Sequence, residues 1–249
     1  MSEQNYYVSR TAKMLKDFDK TANLVRNSVV ARYGSDFADT IHQETRQDYE
    51  ALIPRIPYIE GIRGSMLNSF LRITAQEVAV YRAMKKQGKT AGEAWEICHE
   101  ALRLRMKQFP KIKRWLLGRM MHSGILMKRM RKLAEAGKQP RFGDFEVRYV
   151  MGDGKEFDWG VDYVACGNYK FVLEQGAEEF APYVCMSDIA LSTALGWGLI
   201  RTETLADGCE RCDFRFKKGG KTRISSKTPE VQSTIERISK KEEGVHDLP

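Results

Sequence analysis

Up to residue 138 the apolar positions recur with helical spacing. Over residues 9–32, Ala12, Leu15, Phe18, Leu24 and Val29 or Val30 mark one face of a helix. Gly34 reads as its C′ residue, and Ser35 as the cap of a second helix with Asp36 in its first turn. That helix runs through Phe37, Ile41 and Tyr49 toward Leu52. Pro54 and Pro57 then break the chain into an extended connection. A third helix is expected over 65–87, carried by Met66, Leu67, Phe70, Leu71, Ile73, Val78, Val80, Tyr81 and Met84 and ended by Gly88. Thr90 caps a fourth over 91–108, whose apolar face holds Ala94, Trp95, Ile97, Cys98, Ala101 and Leu104. After Pro110 the spacing predicts one long basic helix to residue 136, with Ile112, Trp115, Leu116, Met120, Met127, Met130 and Leu133 facing inward. None of these stripes needs a cofactor to explain it, and none is expected.

The period changes at Pro140. Residues 145–151 and 157–164 are rich in aromatic and β-branched residues around Gly152-Asp153-Gly154, the pattern of a β-hairpin. A short helix over 167–175, a helical turn at 178–180 and a helix over 187–195 follow. Residues 198–206 and 211–217 are candidate strands around a glycine-containing turn. After Lys218 only isolated apolar residues remain, Ile224, Val231, Ile235 and Ile238 among them. A short, weakly packed helix over 229–241 is the most the pattern predicts there. The fold class is therefore α+β: a helical N-terminal half packed on a smaller α+β C-terminal half with antiparallel hairpins. The organisation expected is a helical region 1–138, a cysteine-containing catalytic region 139–218 and a polar, partly flexible tail 219–249.

Composition narrows the class. At 249 residues, 42% hydrophobic and 30% charged, the chain suits a globular protein with a substantial core. No apolar run approaches the ~20 residues of a membrane span. The N-terminus lacks the apolar stretch of a secretory signal, so a cytoplasmic location is expected, where thiols stay reduced. The net charge of +8 comes chiefly from residues 102–134, with eleven Lys and Arg and no Asp or Glu. No nucleic-acid-binding motif accompanies this run, and nucleic acid is not an expected partner. The run reads first as a solvated helix face, and otherwise as a surface for an anionic substrate, a partner or a membrane. Its Met-rich, Trp-bearing face is a candidate contact for a homo-oligomer.

Candidate chemistry concentrates between Asp158 and Phe216, which hold Cys166, Cys185, Cys209 and Cys212 together with Asp188, Arg201 and Asp213. Three readings are open. In the first, a cysteine is a nucleophile, which requires a thiolate stabilised by positive charge, a base or a helix N-terminus. Cys185, placed just before an expected helix start, leads and Cys212 follows, with Asp188 as proton carrier and Arg201 or Arg215 as the positive charge. His99 or His122 would have to come from afar as a base. In the second, Cys166, Cys185 and Cys212 converge on a metal, although Cys209–Cys212 is the only C-x-x-C and no second pair matches it. In the third, the cysteines are small buried apolar groups, as Cys98 on its helix face is expected to be.

The order of features resembles the L-2-amino-thiazoline-4-carboxylic acid hydrolase family. The residues that carry the likeness are Cys166 in YVACGNYKF, Pro182, Cys185-x-x-Asp188, Arg201-Thr202 with Thr204, Gly208, and Cys212-Asp213-Phe214-Arg215-Phe216. FLRITAQEVAVYRAMKKQGKTAGEAW matches more loosely. The resemblance implies hydrolytic opening of a small carboxylate-bearing sulfur–nitrogen ring, giving N-carbamoyl-L-cysteine in the namesake reaction. It requires no cofactor or metal. Cys185, Asp188, Cys212 and Cys166 are then the candidate catalytic residues, and Arg201, Asp213 and Arg215 the candidate binders of a small-molecule carboxylate substrate. The alternatives are a non-catalytic small-molecule sensor and a cysteine-ligated metal protein.

Overall fold

The computed structural model describes residues 5–61, 64–137 and 139–246. A short helix α1 (Asn5–Val8) precedes α2 (Thr11–Tyr33), which buries Leu15, Phe18, Val25 and Val29 along one stripe. Helix α3 (Ser35–Leu52) returns against it on Ala38, Ile41, Thr45 and Tyr49. Gly34, at φ +90°, makes the corner, and it rather than Ser35 occupies the cap position, without a side-chain hydrogen bond. The turn is thus set by a backbone conformation that L side chains rarely adopt. Helix α4 (Gly64–Lys86) is the central rod, buried on several sides at Leu71, Ala75, Val78 and Met84. The expected cap of α5 (Ala91–Lys107) is present as a full capping box between Thr90 and Glu93.

The single long basic helix is two. Helix α6 (Lys111–Met121) stops, and Ser123 caps a new helix α7 (Gly124–Glu135) by accepting from the Leu126 amide. The inward stripe is also corrected, because Ile112, Trp115, Leu116 and Met120 are exposed. The residue α6 turns to the body is Gly118, where a Cβ would lie 1.9 Å from the carbonyl oxygen of Leu195. Close backbone approach, available only at glycine, decided the orientation over the apolar stripe. In α7 the expectation holds: Met130 is buried, and Met127 and Leu133 are partly so.

Strands β1 (Arg141–Phe142), β2 (Phe145–Met151) and β3 (Trp159–Ala165) open the second half. The β2–β3 hairpin pairs Met151 with Trp159 across the predicted turn. Next come α8 (Gly167–Glu174), a 3₁₀ turn at Glu178–Phe180, and the helices α9 (Ala181–Cys185) and α10 (Asp188–Leu195). The expected strand over 198–206 shrinks to β4 (Leu199–Arg201), since Thr204 caps a 3₁₀ turn at Leu205–Asp207. Strand β5 (Cys212–Phe216) pairs with both β4 and β3, and a short β6 (Arg223–Ile224) runs parallel to β4. The two expected hairpins therefore fuse into one six-stranded sheet of order β1-β2-β3-β5-β4-β6.

The segment after Lys218, expected to pack weakly, forms α11 (Pro229–His246). Val231, Ile235 and Ile238 enter the main core, 1%, 5% and 9% exposed. Three apolar residues on one helical face were enough to dock an otherwise polar segment. That core also takes in α2–α5, α8 and α9, so the helical half and the second half share one interior.

Candidate functional site

The sheet end at β5, the α9–α10 corner and the middle of α4 line a partly open cavity of about 90 Å³. By the volume a single water needs, that is room for several waters or one small heterocycle. Cys166, Cys185, Cys212, Asp188 and Arg201 all line it. Each comes from a different place: Cys166 caps α8, Cys185 ends α9, Asp188 begins α10, Arg201 ends β4 and Cys212 begins β5.

Arg201 is the anchor. It is 1% exposed, and its guanidinium donates to Asp188 Oδ2 at 2.5 Å and to the carbonyl oxygen of Cys185 at 2.6 Å. The ring of Phe214 supports it from below, 5.1 Å from the guanidinium carbon. Its Nε finds no partner. Asp188 keeps 23% of its side chain accessible. Burial raises its pKa above the ordinary carboxylate value, while Arg201 pulls it back toward ionisation. Removing either partner would leave the other buried and uncompensated.

The thiols are not alike. Cys185 was favoured for a helix start, but it is the last residue of α9, where its carbonyl faces Arg201. Burial pushes its thiol pKa well up, beyond what Arg201 offsets. Cys212 is also pushed up by burial, to about 12, and its sulfur accepts from the Leu205 amide at 3.3 Å. Cys166 occupies the position expected for Cys185. It precedes the first turn of α8, and although burial raises its pKa, the backbone amides of Tyr169 and Asn168 oppose the rise. Among the described residues, no histidine lines the cavity. His122 instead contacts the Trp197 carbonyl oxygen at 3.2 Å.

Asp213 and Arg215 lie outside the lining. Asp213 clamps the end of β4, accepting from the backbone amides of Thr202 and Glu203 at 2.8 and 2.6 Å. Arg215 pairs with buried Asp162 at 2.7 Å. Strand alternation explains both: Cys212 and Phe214 face the cavity, and their neighbours cannot. Cys209 is also outside the lining. Among the described residues, no group of three or more His, Cys, Asp or Glu is arranged to hold a metal ion.

Glu77 was missed. It lies in the middle of α4, 4% exposed, on the wall of the cavity. Burial raises its carboxyl to about 8, so it carries its proton at neutral pH. Ser187 donates to its Oε1 at 2.6 Å, while Oε2 has no partner. A signal existed: Phe70, Ile73, Val80 and Met84 share its helix face, so a charged residue there interrupts an apolar stripe. A second, larger cavity of about 130 Å³ among α2–α5 shares the Glu77 wall, but the thiols of the second half do not reach it.

The family model described as L-2-amino-thiazoline-4-carboxylic acid hydrolase matches residues 68–216, more than half of the chain. The match begins in α4 and ends with β5, so it spans every residue that lines the thiol cavity except Leu67. No curated protein and no solved structure matches.

Proposed function

The chain belongs to the L-2-amino-thiazoline-4-carboxylic acid hydrolase family, and from that footing we propose that it hydrolyses a small carboxylate-bearing cyclic amidine in the thiol cavity. The observation that carries this reading is the convergence of a thiol at a helix start with the Asp188–Arg201 pair on one cavity. The substrate carboxylate shares Arg201 with Asp188 and uses the unpartnered Nε as a donor. Two carboxylates on one guanidinium raise the proton affinity of Asp188, which turns it into the acid that protonates the ring nitrogen.

Cys166 supplies the nucleophile. Its sulfur adds to the carbon between ring nitrogen and ring sulfur while its proton passes to Asp188, left as a carboxylate once it has protonated the ring nitrogen. The carbon–sulfur bond of the ring then breaks, and the departing sulfur takes up a proton. Water attacks the resulting thioimidate carbon, forming the carbon–oxygen bond and releasing Cys166 as a thiol. The net change is addition of one water, and the product is a carbamoyl amino thiol. Cys185 and Cys212, neutral in the resting site, shape the cavity and exclude water.

The test is product formation from 2-aminothiazoline-4-carboxylate by wild type and by Asp188→Asn, Cys166→Ser, Cys185→Ser and Cys212→Ser. Loss of acid–base assistance predicts a fall of about 10²–10⁴-fold for Asp188→Asn. Cys166→Ser should fall comparably, with the other two serines within about tenfold of wild type. Turnover undiminished in Cys166→Ser would give the attack to water instead. Tight binding without turnover by wild type would favour a small-molecule sensor and end the hydrolase reading.

A further inference from the structure

Helix α6 is built inside out. Gly118 is its buried residue, and Ile112, Trp115, Leu116 and Met120 stand outward at 63%, 55%, 49% and 64% exposure. Ile125, at the start of α7, adds to the same end of the molecule at 85%. Isolated exposed apolar residues are ordinary, but a helical face of them together with an indole is not. The charge along this segment has one sign as far as residue 134. Between Lys111 and Lys132 there are eight Lys and Arg, and residues 102–134 contain no acid. Lys113, Arg119, Lys128, Arg129, Arg131 and Lys132 are exposed. Arg119 lies over the Trp115 ring at 5.4 Å.

An apolar stripe flanked by unneutralised cations is complementary to a surface that is itself apolar below and anionic above. We propose that α6 and the start of α7 dock the protein on the surface of a bilayer containing anionic phospholipid, with Trp115 at the headgroup boundary. No helix of the described residues is long and apolar enough to cross a membrane, so the attachment is peripheral. A second copy of the chain suits this face poorly, because a twofold contact would set the basic rims against each other. Nucleic acid would leave the aliphatic side chains with nothing to bury them.

Trp115 is the exposed indole among four tryptophans, since Trp95 and Trp159 are buried and Trp197 is partly so. Its emission therefore reports docking. The full-length protein is mixed with vesicles of phosphatidylcholine alone or with phosphatidylglycerol added, and bound protein is read by co-sedimentation and tryptophan emission. Binding to anionic vesicles with a blue shift is expected, weaker by roughly tenfold or more on neutral vesicles or in high salt. Ile112→Ser with Trp115→Ser, and separately Arg129→Glu with Lys132→Glu, should each abolish sedimentation while thermal midpoints stay near wild type. The proposal is overturned if wild type does not bind anionic vesicles, binds both kinds equally, or binds undiminished in both variants. It is equally overturned if the first variant dissolves a dimer of a wild type that ignores vesicles.

Discussion

Replacing Glu77 with glutamine should make the protein more stable at high pH than the wild type. The folded carboxyl holds its proton until about pH 8, whereas in the unfolded chain it ionises near 4.5. Between those values the unfolded state binds fewer protons than the native state, so stability falls as pH rises through the window. The full penalty is present above pH 8 and absent below 4.5. At about 1.4 kcal/mol for each pH unit, the cost reaches about 3 kcal/mol at pH 7 and about 4–5 kcal/mol above pH 8. That is a large fraction of the ~5–15 kcal/mol that holds a typical domain together. Glutamine keeps the shape and the acceptor that Ser187 uses, and has no charge to desolvate. Urea unfolding at pH 5, 7 and 9 for both proteins isolates the term, since other titrating groups largely cancel in the difference. The gap should swing toward the variant by about 3 kcal/mol or more from pH 5 to pH 9. Parallel curves would refute the buried, protonated carboxyl.

Gly118→Ala should destabilise, although alanine is the better helix former by about 1 kcal/mol. The added methyl would meet the Leu195 carbonyl oxygen at 1.9 Å, so thermal melting should show a net loss of about 1–3 kcal/mol. A rise in melting temperature would mean that α6 does not sit as described. The thiols make a separate prediction: Cys98, Cys185 and Cys212, all pushed up by burial, should resist iodoacetamide in the native state near pH 7.5 and react on unfolding. Mass spectrometry of the labelled peptides decides it, and rapid native labelling of Cys212 would refute its burial.

The helices from Thr11 to Lys107 were legible because each has a stripe and a stop, and at Thr90 and Glu93 the cap itself was written in the sequence. The hairpin around Gly152-Asp153-Gly154 was legible for the same reason. What failed were choices between surfaces. The apolar stripe of α6 and its lone Gly118 propose opposite inward faces, and only tertiary packing chooses between them. In the same way, Val231, Ile235 and Ile238 gained a partner in the main core that no local pattern reveals. At the cavity, five of the seven residues expected at the site come together: the three thiols, Asp188 and Arg201. Asp213 and Arg215 were grouped with them by nearness in sequence, which a strand undoes at every second residue. Cys166 precedes α8 and α10 begins at Asp188, both where helices were expected; the short helix α9, which no local pattern marked, ends on Cys185 and separates it from the α10 start.

The two cavity carboxyls divide the proton chemistry by their surroundings. Asp188 and Glu77 both line the same space, and burial raises both carboxyls, Glu77 to about 8. Arg201 opposes that at Asp188 with a charge and a short hydrogen bond, whereas Glu77 has only the Ser187 hydroxyl. One guanidinium thus sets two like groups apart: burial holds the Glu77 carboxyl up at about 8, whereas at Asp188 the same rise is opposed by the Arg201 charge. The arrangement also limits what the cavity can admit. With Glu77 neutral, an ion-paired Asp188 and Arg201 would sum to zero, and the carboxylate of the proposed substrate would enter against no net charge. Were Glu77 ionised as well, the same cavity would be net negative and would repel a carboxylate. On the proposed function, the cost that Glu77 imposes on stability and the admission of a carboxylate substrate would share one cause, the desolvation that keeps the Glu77 proton in place.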